Sequence, residues 1–447
     1  MQLKADKKTK TSLLTATEFH NLITALYMGA VDHIAVATSG GCDSMALSLL
    51  LKKWCDDQNI KLTALSVDHG LRDGSKAEVD QVAIWMAAHN INHKILNWTG
   101  DKPNSNIQGE ARKARYGLMG NYCADQNIKH LFLAHHQQDQ AETFLLRLFR
   151  GSGVDGLSAM QKIADFPYQN STKDYPKIYR PLLDVSKEYL QEIMKEAGQA
   201  WIEDPSNEDP VYSRIKVRQL LKSSQIEGLN SQRLSATATR MRRVRSLLDQ
   251  LSEQGELDYV KYHEFGFAVL NSDFADNLHE EISLRILREI VRKISADQYG
   301  PRLTKLETLY QNLKNKDFSG QTILGSMVFK AKNNDIIFVR EISLIDEVKT
   351  IADKQQYLWD NRFLLSFEQY FGTVRKIDDE CYGKIKQEFP DFKENLKALS
   401  DDHTIRNCLL STLPCLVLED GTVRLPDILC DKITMPELYG FSAVLNK

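Results

Sequence analysis

His33-Ile-Ala-Val-Ala-Thr38 runs directly into Ser39-Gly-Gly-Cys-Asp-Ser44, and that into Met45-Ala-Leu-Ser-Leu-Leu-Leu51. A short apolar run, a glycine turn and an apolar run at helical spacing predict strand, tight loop and helix. That order builds a nest of backbone N–H groups at a helix N-terminus, where unpaired amides and the helix dipole favour an anion. Gly40 and Gly41 let the backbone come close to a phosphate, and Ser39 and Ser44 add hydroxyl donors. No Gly-Lys-Ser/Thr closes the loop, and it lacks the Gly-x-Gly-x-x-Gly of dinucleotide binders. A plain chain reversal is the alternative. The flanking strand and helix, and Asp43 inside the loop, favour nucleotide chemistry.

Outward from this loop the first half alternates. Strands are predicted at 33–38, 61–67, 93–98 and 130–135, with helices near 43–57, 75–89, 107–127 and 138–150. Strand-helix alternation with short loops means right-handed crossovers and a doubly wound parallel α/β sheet covered on both faces. Ligands in such sheets bind beyond the carboxyl ends of the strands. The polar clusters fall at those ends: Ser39-Gly-Gly, then Asp68-His-Gly-Leu-Arg72, then His135-His-Gln-Gln-Asp139. One composite site is the expectation.

The residue types suit transfer chemistry at a phosphate, which needs donors, cations and a metal. Asp43 is the best-placed carboxylate for magnesium, although helix N-capping would also suit it. Asp68, His69 and Arg72 could meet adenine, ribose and phosphate. Arg112 and Arg115, three apart on one helix face, could grip phosphates or a base edge, or form a solvated basic face. Asp139 and Glu142 also share a face, beside His135 or His136. That set reads either as a metal site or as a pocket for a cationic amine whose proton a histidine could take.

Taken together, these segments resemble those of the PP-loop ATP pyrophosphatases, which split ATP between its α and β phosphates. Within that group the chain resembles the tRNA(Ile)-lysidine synthase family. The resemblance rests on Ser39–Ser44, Val67-Asp-His-Gly-Leu-Arg72, Gly109-Glu-Ala-Arg-Lys-Ala-Arg-Tyr116 and Ala134-His-His-Gln-Gln-Asp-Gln-Ala-Glu-Thr143. Arg150-Gly-Ser-Gly-Val-Asp-Gly-Leu157, Arg180-Pro-Leu-Leu183 and Glu203-Asp-Pro-Ser-Asn207 extend it across roughly the first 220 residues. It implies that ATP adenylates the wobble cytidine of a minor isoleucine tRNA with a CAU anticodon, and that free L-lysine then displaces AMP. Ser39, Gly40, Gly41, Cys42, Asp43 and Ser44 would hold ATP with Mg2+ at Asp43, and no tightly bound organic cofactor is expected. Arg115, with Arg112 second, would contact the cytidine or the adenylate. His135, Asp139 and Glu142 would hold lysine, and Gly151-Ser-Gly153 would lie near the anticodon. Arg214 and Arg218 are RNA-contact candidates, but Ile215 stands where the family usually continues with an Arg-Asn pair.

Beyond about residue 220 the alternation stops. Arg233, Arg240, Arg242, Arg243 and Arg245 form an acid-free helical stretch, read as a tRNA-backbone contact through Arg240 and Arg243 or as a solvated face. Helices at 274–293 and 302–315, then a small antiparallel sheet from Thr322-Ile-Leu-Gly325, Met327–Lys330 and Ile336–Val339, would complete a mostly helical middle domain. Residues 346–447 read as a small α+β module with strands near 357–367 and 413–424, credited by the resemblance with gripping tRNA. The expected domains are thus 1–222, 223–345 and 346–447.

Bulk properties only bound this reading. The 447 residues exceed one typical domain, and 42% hydrophobic content supports proper cores. No apolar stretch suits a membrane span or a secretory signal, and seven scattered cysteines without a Cys-x-x-Cys pair suggest reduced thiols, so a cytoplasmic protein is expected. A net charge of −3 argues against indiscriminate nucleic-acid binding. A homodimer is an allowed assembly. The competing readings are a PP-loop tRNA 2-thiolation enzyme, which normally needs paired cysteines or an iron–sulfur cluster, and a tRNA-binding protein with a vestigial ATP site. GMP and NAD synthetases share the loop but leave the basic helical second half unexplained.

Overall fold

The structure, a computed structural model, describes residues 16–445 apart from 27–28, 72–73, 101, 103–104, 168–172, 204–212, 298–299, 316–317, 332–333, 352–355, 368–371, 396, 398–402, 428 and 431–438. Arg72 and the Asp204–Asn207 stretch therefore lie outside the described residues. The chain divides into two compact units, Met1–Ser246 and Leu247–Lys447.

In the first unit β1 (His33–Ala37), β2 (Lys61–Asp68), β3 (Asn92–Asn97), β4 (His130–Phe132), β5 (Ile163–Ala164) and β6 (Lys177–Tyr179) form one sheet in the order β3-β2-β1-β4-β6-β5. All neighbours are parallel except β5 against β6. Helices α1 (Ala16–Thr24), α2 (Cys42–Gln58), α3 (Ser75–Ala88), α4 (Ile107–Asp125), α5 (Gln137–Leu148), α6 (Val154–Leu157), α7 (Lys187–Glu196), α8 (Ser213–Ser223) and α9 (Ser231–Tyr259) follow, α9 running past the unit boundary. The unbroken apolar character of β1 has a direct cause. Ile34 and Val36 pack with Met45, Leu47 and Phe132 on one face, while Ala35 packs with Tyr116, Met119 and Leu131 on the other. Both faces of the strand are covered, so both sets must be apolar.

β1 pairs with β2 on one side and β4 on the other, so the chain changes direction across the sheet at the β1/β4 junction. The crevice beyond such a junction is where open α/β sheets bind ligands. The loops after β1 and β4 both open there.

The second unit carries two sheets. β7 (Val260–His263), β8 (Phe267–Leu270), β9 (Gly320–Ile323), β10 (Ser326–Lys330) and β11 (Ile336–Arg340) form an antiparallel sheet in the order β7-β8-β11-β10-β9. Apolar residues of α11 (Glu280–Ser295) and α12 (Leu303–Lys314), such as Leu287, Ile290 and Leu309, pack with Val328 and Phe338 of that sheet. The expected helix 274–293 is two: α10 (Phe274–Asn277) stops at the extended Leu278, and His279 caps α11 by accepting from the Glu281 amide at 3.2 Å. The strand expected at 322–325 sits two residues earlier, because Leu324 and Gly325 take positive φ and make the turn.

The C-terminal sheet comprises β12 (Lys349–Ile351), β13 (Gln356–Trp359), β14 (Phe363–Ser366), β15 (Gly372–Lys376), β16 (Pro414–Leu418), β17 (Val423–Pro426) and β18 (Tyr439–Leu445), with short helices between. Its order is β12-β15-β16-β17-β18-β14-β13. The expected single strand at 357–367 is a hairpin, turned by Asp360 and Asn361, both left-handed. Phe265, Phe267, Ile337 and Val339 share one core with Trp359, Phe363 and Leu416, joining the two sheets of this unit.

Candidate active site

The loop after β1 is shaped by Gly40, whose φ of +86° few side chains tolerate. A Cβ there would also meet Val82 Cγ2 at 2.7 Å and Ile202 Cδ1 at 2.8 Å. Gly41 is the N-cap of α2 and offers no side-chain cap to the first amides of the helix. Among the described residues no cap side chain occupies those amides, which suits an anion nest. Ser44 turns its hydroxyl back to the Gly41 carbonyl at 2.9 Å and takes the Ser39 amide at 3.1 Å. The two serines therefore brace the loop as well as supplying donors to it.

Asp43 follows on the first turn of α2, and its contact comes from across the sheet. His136 Nε2 lies 3.3 Å from Asp43 Oδ2 and 3.6 Å from Asp139 Oδ2. His136 is the N-cap of α5: its Nδ1 accepts from the Gln138 amide at 3.2 Å, and Asp139 Oδ2 accepts from the His136 amide at 3.0 Å. One imidazole thus joins the carboxylate of the glycine loop to the carboxylate of the second cluster. Burial opposes charge on His136, but Asp43 and Asp139 outweigh it and raise its pKa above the usual value. Burial likewise works against a charged Asp139, yet His136, His135 and the backbone bond hold that carboxyl below its usual range. The sequence left open which histidine matters; His136 is the one that touches both carboxylates.

His135 has different company. Burial, only partly offset by Asp139, pushes its imidazole down to about 3, so it is neutral at working pH. Its Nδ1 accepts from Arg180 Nε at 3.2 Å, and Arg180 Nη1 donates to the Gln161 carbonyl at 2.9 Å. Arg180 is buried and was not singled out in the sequence. The Arg180-Pro-Leu-Leu183 motif marked its position without a role.

Glu142, buried one turn further along α5, meets Arg218 of α8: Nε donates to Oε1 at 2.7 Å and Nη2 to Oε2 at 3.3 Å. Arg218 is thereby committed to a carboxylate, and Glu142 is already neutralised. Arg214, exposed on the first turn of α8, acts electrostatically on Asp139, His135 and Arg115.

On α4, Arg112 lies 4.9 Å and Arg115 6.0 Å from the centre of the Tyr116 ring, and Arg112 Nη2 donates to the Tyr116 hydroxyl at 3.3 Å. Burial lowers the Arg115 pKa, and Arg112 and Arg214 add to that repulsion. A guanidinium remains charged regardless, so among the described residues this is a corner of positive charge. His69 lies within the field of Arg115, its pKa lowered first by burial, and its buried Nδ1 has no hydrogen-bond partner among the described residues. Asp68 instead organises its own loop, accepting from Ser75 Oγ at 2.7 Å and the Gly70 amide at 2.9 Å.

The arginine stretch on α9 divides by face. Arg242 reaches Asp184 at 3.4 Å and Arg245 reaches Asp155 at 3.9 Å, whereas Arg240 and Arg243 are exposed. All seven cysteines are free, and burial pushes Cys42 up to about 11 and Cys123 up to about 12.

Asp43 Oδ1 is buried and, among the described residues, has no hydrogen-bond partner. No cluster of three His, Cys, Asp or Glu able to hold a metal occurs among the described residues. Magnesium commonly takes one or two carboxylates and completes its shell with water and substrate phosphates. A single open carboxylate oxygen beside an anion nest fits that donor set.

Comparison with known proteins agrees with this geometry. The PP-loop domain family matches residues 14–225. The tRNA(Ile)-lysidine synthase of Wolbachia pipientis wMel is 36% identical over 335 residues, 74% of this chain and 76% of that protein. The protein of the same name from the Wolbachia of Brugia malayi is 35% identical over 398 residues, 88% of each chain. That of Rickettsia bellii is 30% identical over 419 residues, 92% of each chain. At this identity and coverage, and with the PP-loop built as described, the chain belongs to the tRNA(Ile)-lysidine synthase family.

Proposed function

We propose that this protein joins free L-lysine to the wobble cytidine of tRNA(Ile) with a CAU anticodon, at the expense of ATP. The observation that carries the reading is the single imidazole of His136 within 3.3 Å of Asp43 and 3.6 Å of Asp139. It supports a common cavity for triphosphate cleavage and amine capture.

In the first step the ring carbonyl oxygen of the cytosine attacks the α phosphorus of ATP, and pyrophosphate leaves. The open amides of the glycine loop, with Ser39 and Ser44, receive phosphate oxygens, and Asp43 Oδ1 would hold Mg2+. When bound, that ion offsets charge on the departing pyrophosphate. Arg115 and Arg112, side by side at the Tyr116 ring, would meet the phosphate charge of the adenylated cytidine. In the second step the lysine ε-amine attacks the ring carbon, and the former carbonyl oxygen departs as part of AMP. Adenylation is needed because that oxygen is otherwise a poor leaving group. The ammonium is drawn by Asp139, and its proton must be lost before attack; the dense surroundings of His135 and His136 supply a desolvated place for that. Arg214, Arg240 and Arg243 are left for tRNA phosphates, whereas Arg218 acts through Glu142. A cytoplasmic location follows from the substrate; among the described residues no helix is long and apolar enough to cross a membrane.

Sulfur transfer is the weaker reading. Cys42, the cysteine of the loop, and Cys123 are held protonated by burial, which removes the thiolate that such chemistry uses. Incubation with ATP, labelled lysine and total tRNA decides between the two: label entering RNA only when ATP is present is the expected result. ATP-dependent uptake of labelled sulfur instead would overturn the assignment.

Asp139→Asn keeps an acceptor for the His136 amide but removes the charge. The lysine KM should rise by about 10-fold or more, the loss of one charge-assisted contact of roughly 1.5–3 kcal/mol. The ATP KM should stay near its original value. An unchanged lysine KM would place the amine elsewhere.

A further inference from the structure

Beyond the reacting cluster, the end of α5 and the face of α8 border an open hollow of about 340 Å3, lined by Leu146, Phe149, Arg150, Lys216, Val217 and Leu220. We infer that it seats one unpaired nucleobase of the RNA substrate's anticodon loop, stacked on Phe149, with Arg150 and Lys216 on the adjoining phosphates. This rests on the reading of the protein as a tRNA-modifying enzyme and adds a subsite to it.

Three observations converge on this occupant. The first is the state of Phe149. Phe144 and Leu145, on the buried side of α5, already supply that helix's apolar contacts, whereas Phe149 is 63% exposed. An aromatic ring left in water at the mouth of a hollow has a face to offer, and every base can stack on it.

The second is charge. Arg150 and Lys216 are exposed, and among the described residues neither has a carboxylate partner. Among the described residues, no acidic side chain lines the hollow. An apolar floor with a purely cationic rim matches a base attached to phosphates.

The third is continuity. The walls are the two helices that build the reacting cluster: α5 carries Asp139 and Glu142, and α8 carries Arg214 and Arg218. Ten residues separate Asp139 from Phe149, about 15 Å along a helix. A single strand whose cytidine enters the cluster would therefore run its neighbouring nucleotides past Phe149. An acidic protein segment would satisfy the charge but would have no reason to lie in line with Asp139.

The test uses the full-length protein and a tRNA(Ile) anticodon stem-loop carrying 2-aminopurine at one loop position at a time. With the unaltered protein, fluorescence at one position should fall on binding. Phe149→Ala should abolish that change and weaken RNA binding about 5- to 100-fold, the equivalent of losing one base–aromatic stack. Phe149→Tyr should restore both, and Phe149→Leu should not. Lys216→Ala should lower the salt dependence of binding by about one phosphate contact. Phe149 is exposed, so its loss leaves the fold intact. Unaltered RNA affinity in Phe149→Ala, or full rescue by Leu, overturns the inference. So does loss, in Phe149→Ala, of a co-purifying protein with RNA affinity unchanged, which would assign the hollow to a protein partner. ATP-dependent lysine incorporation by the unaltered enzyme is scored separately; its failure removes the functional reading itself.

Discussion

Asp43→Asn is expected to cut tRNA-dependent AMP release about 1,000-fold at saturating ATP and lysine, with the protein still folded. Asparagine keeps the size of the side chain and an oxygen for His136, so the change removes a charge and little else. That charge does three things. It sits on the first turn of α2, where an anion complements the helix dipole; this contributes about 0.3–1 kcal/mol, too little to unfold the unit. It holds His136 above its usual pKa, so the variant's imidazole titrates lower. It also offers Oδ1, buried and without a hydrogen-bond partner among the described residues, to a cation beside the phosphate nest. Only the third acts directly on the charge that builds up as pyrophosphate leaves, where metal and electrostatic stabilisation contribute several kcal/mol. A thousandfold loss corresponds to about 4 kcal/mol of transition-state stabilisation. The decisive measurement is single-turnover AMP release, with lysine dependence followed alongside. If Asp43→Asn retained a tenth of the rate, the carboxylate would be only a helix-end charge.

The same loop shows why this part of the fold could be read from residues alone. Gly40 has a steric and a conformational reason to be glycine, and both act locally, between strand and helix. The apolar strand β1 is equally legible, because a strand covered on both faces cannot alternate. What could not be read is which side chains face one another across the sheet. His135 and His136 are adjacent, yet one goes to Arg180 and the other to Asp43. The spacing of Asp139 and Glu142 placed both on one helix face without revealing Arg218, 76 residues on, against Glu142. In the second unit, β7 follows α9 with no glycine or proline between them, so no local breaker announces the change. The hairpin inside 357–367 turns on Asp360 and Asn361, residues that tolerate left-handed backbone but do not demand it. Local stereochemistry is written in the sequence; pairing across distance is only implied by it.

Arg218→Ala tests such a pairing, and its expected effect is on stability before catalysis. Glu142 keeps only 2% of its side chain accessible, whereas Arg218 keeps 33%. Removing the arginine leaves a buried carboxylate without its counter-charge and without two charge-assisted hydrogen bonds. Breaking a buried pair from one side costs roughly 3–5 kcal/mol. The half-open position of Arg218 lets water reach part of the gap, so a loss of about 3 kcal/mol is expected, at the lower end of that range. It should appear as a lower denaturant midpoint for the first unit with an unchanged slope. Arg218→Ala combined with Glu142→Gln should regain most of the stability, since the uncompensated charge is gone. RNA affinity separates the two roles open to Arg218. A residue acting through Glu142 would leave the salt dependence of tRNA binding as it was, whereas a direct phosphate contact would lower the slope by about one. A stable Arg218→Ala with a reduced slope would move Arg218 from the helix pairing to the RNA. It would also free Glu142 to serve the lysine ammonium alongside Asp139.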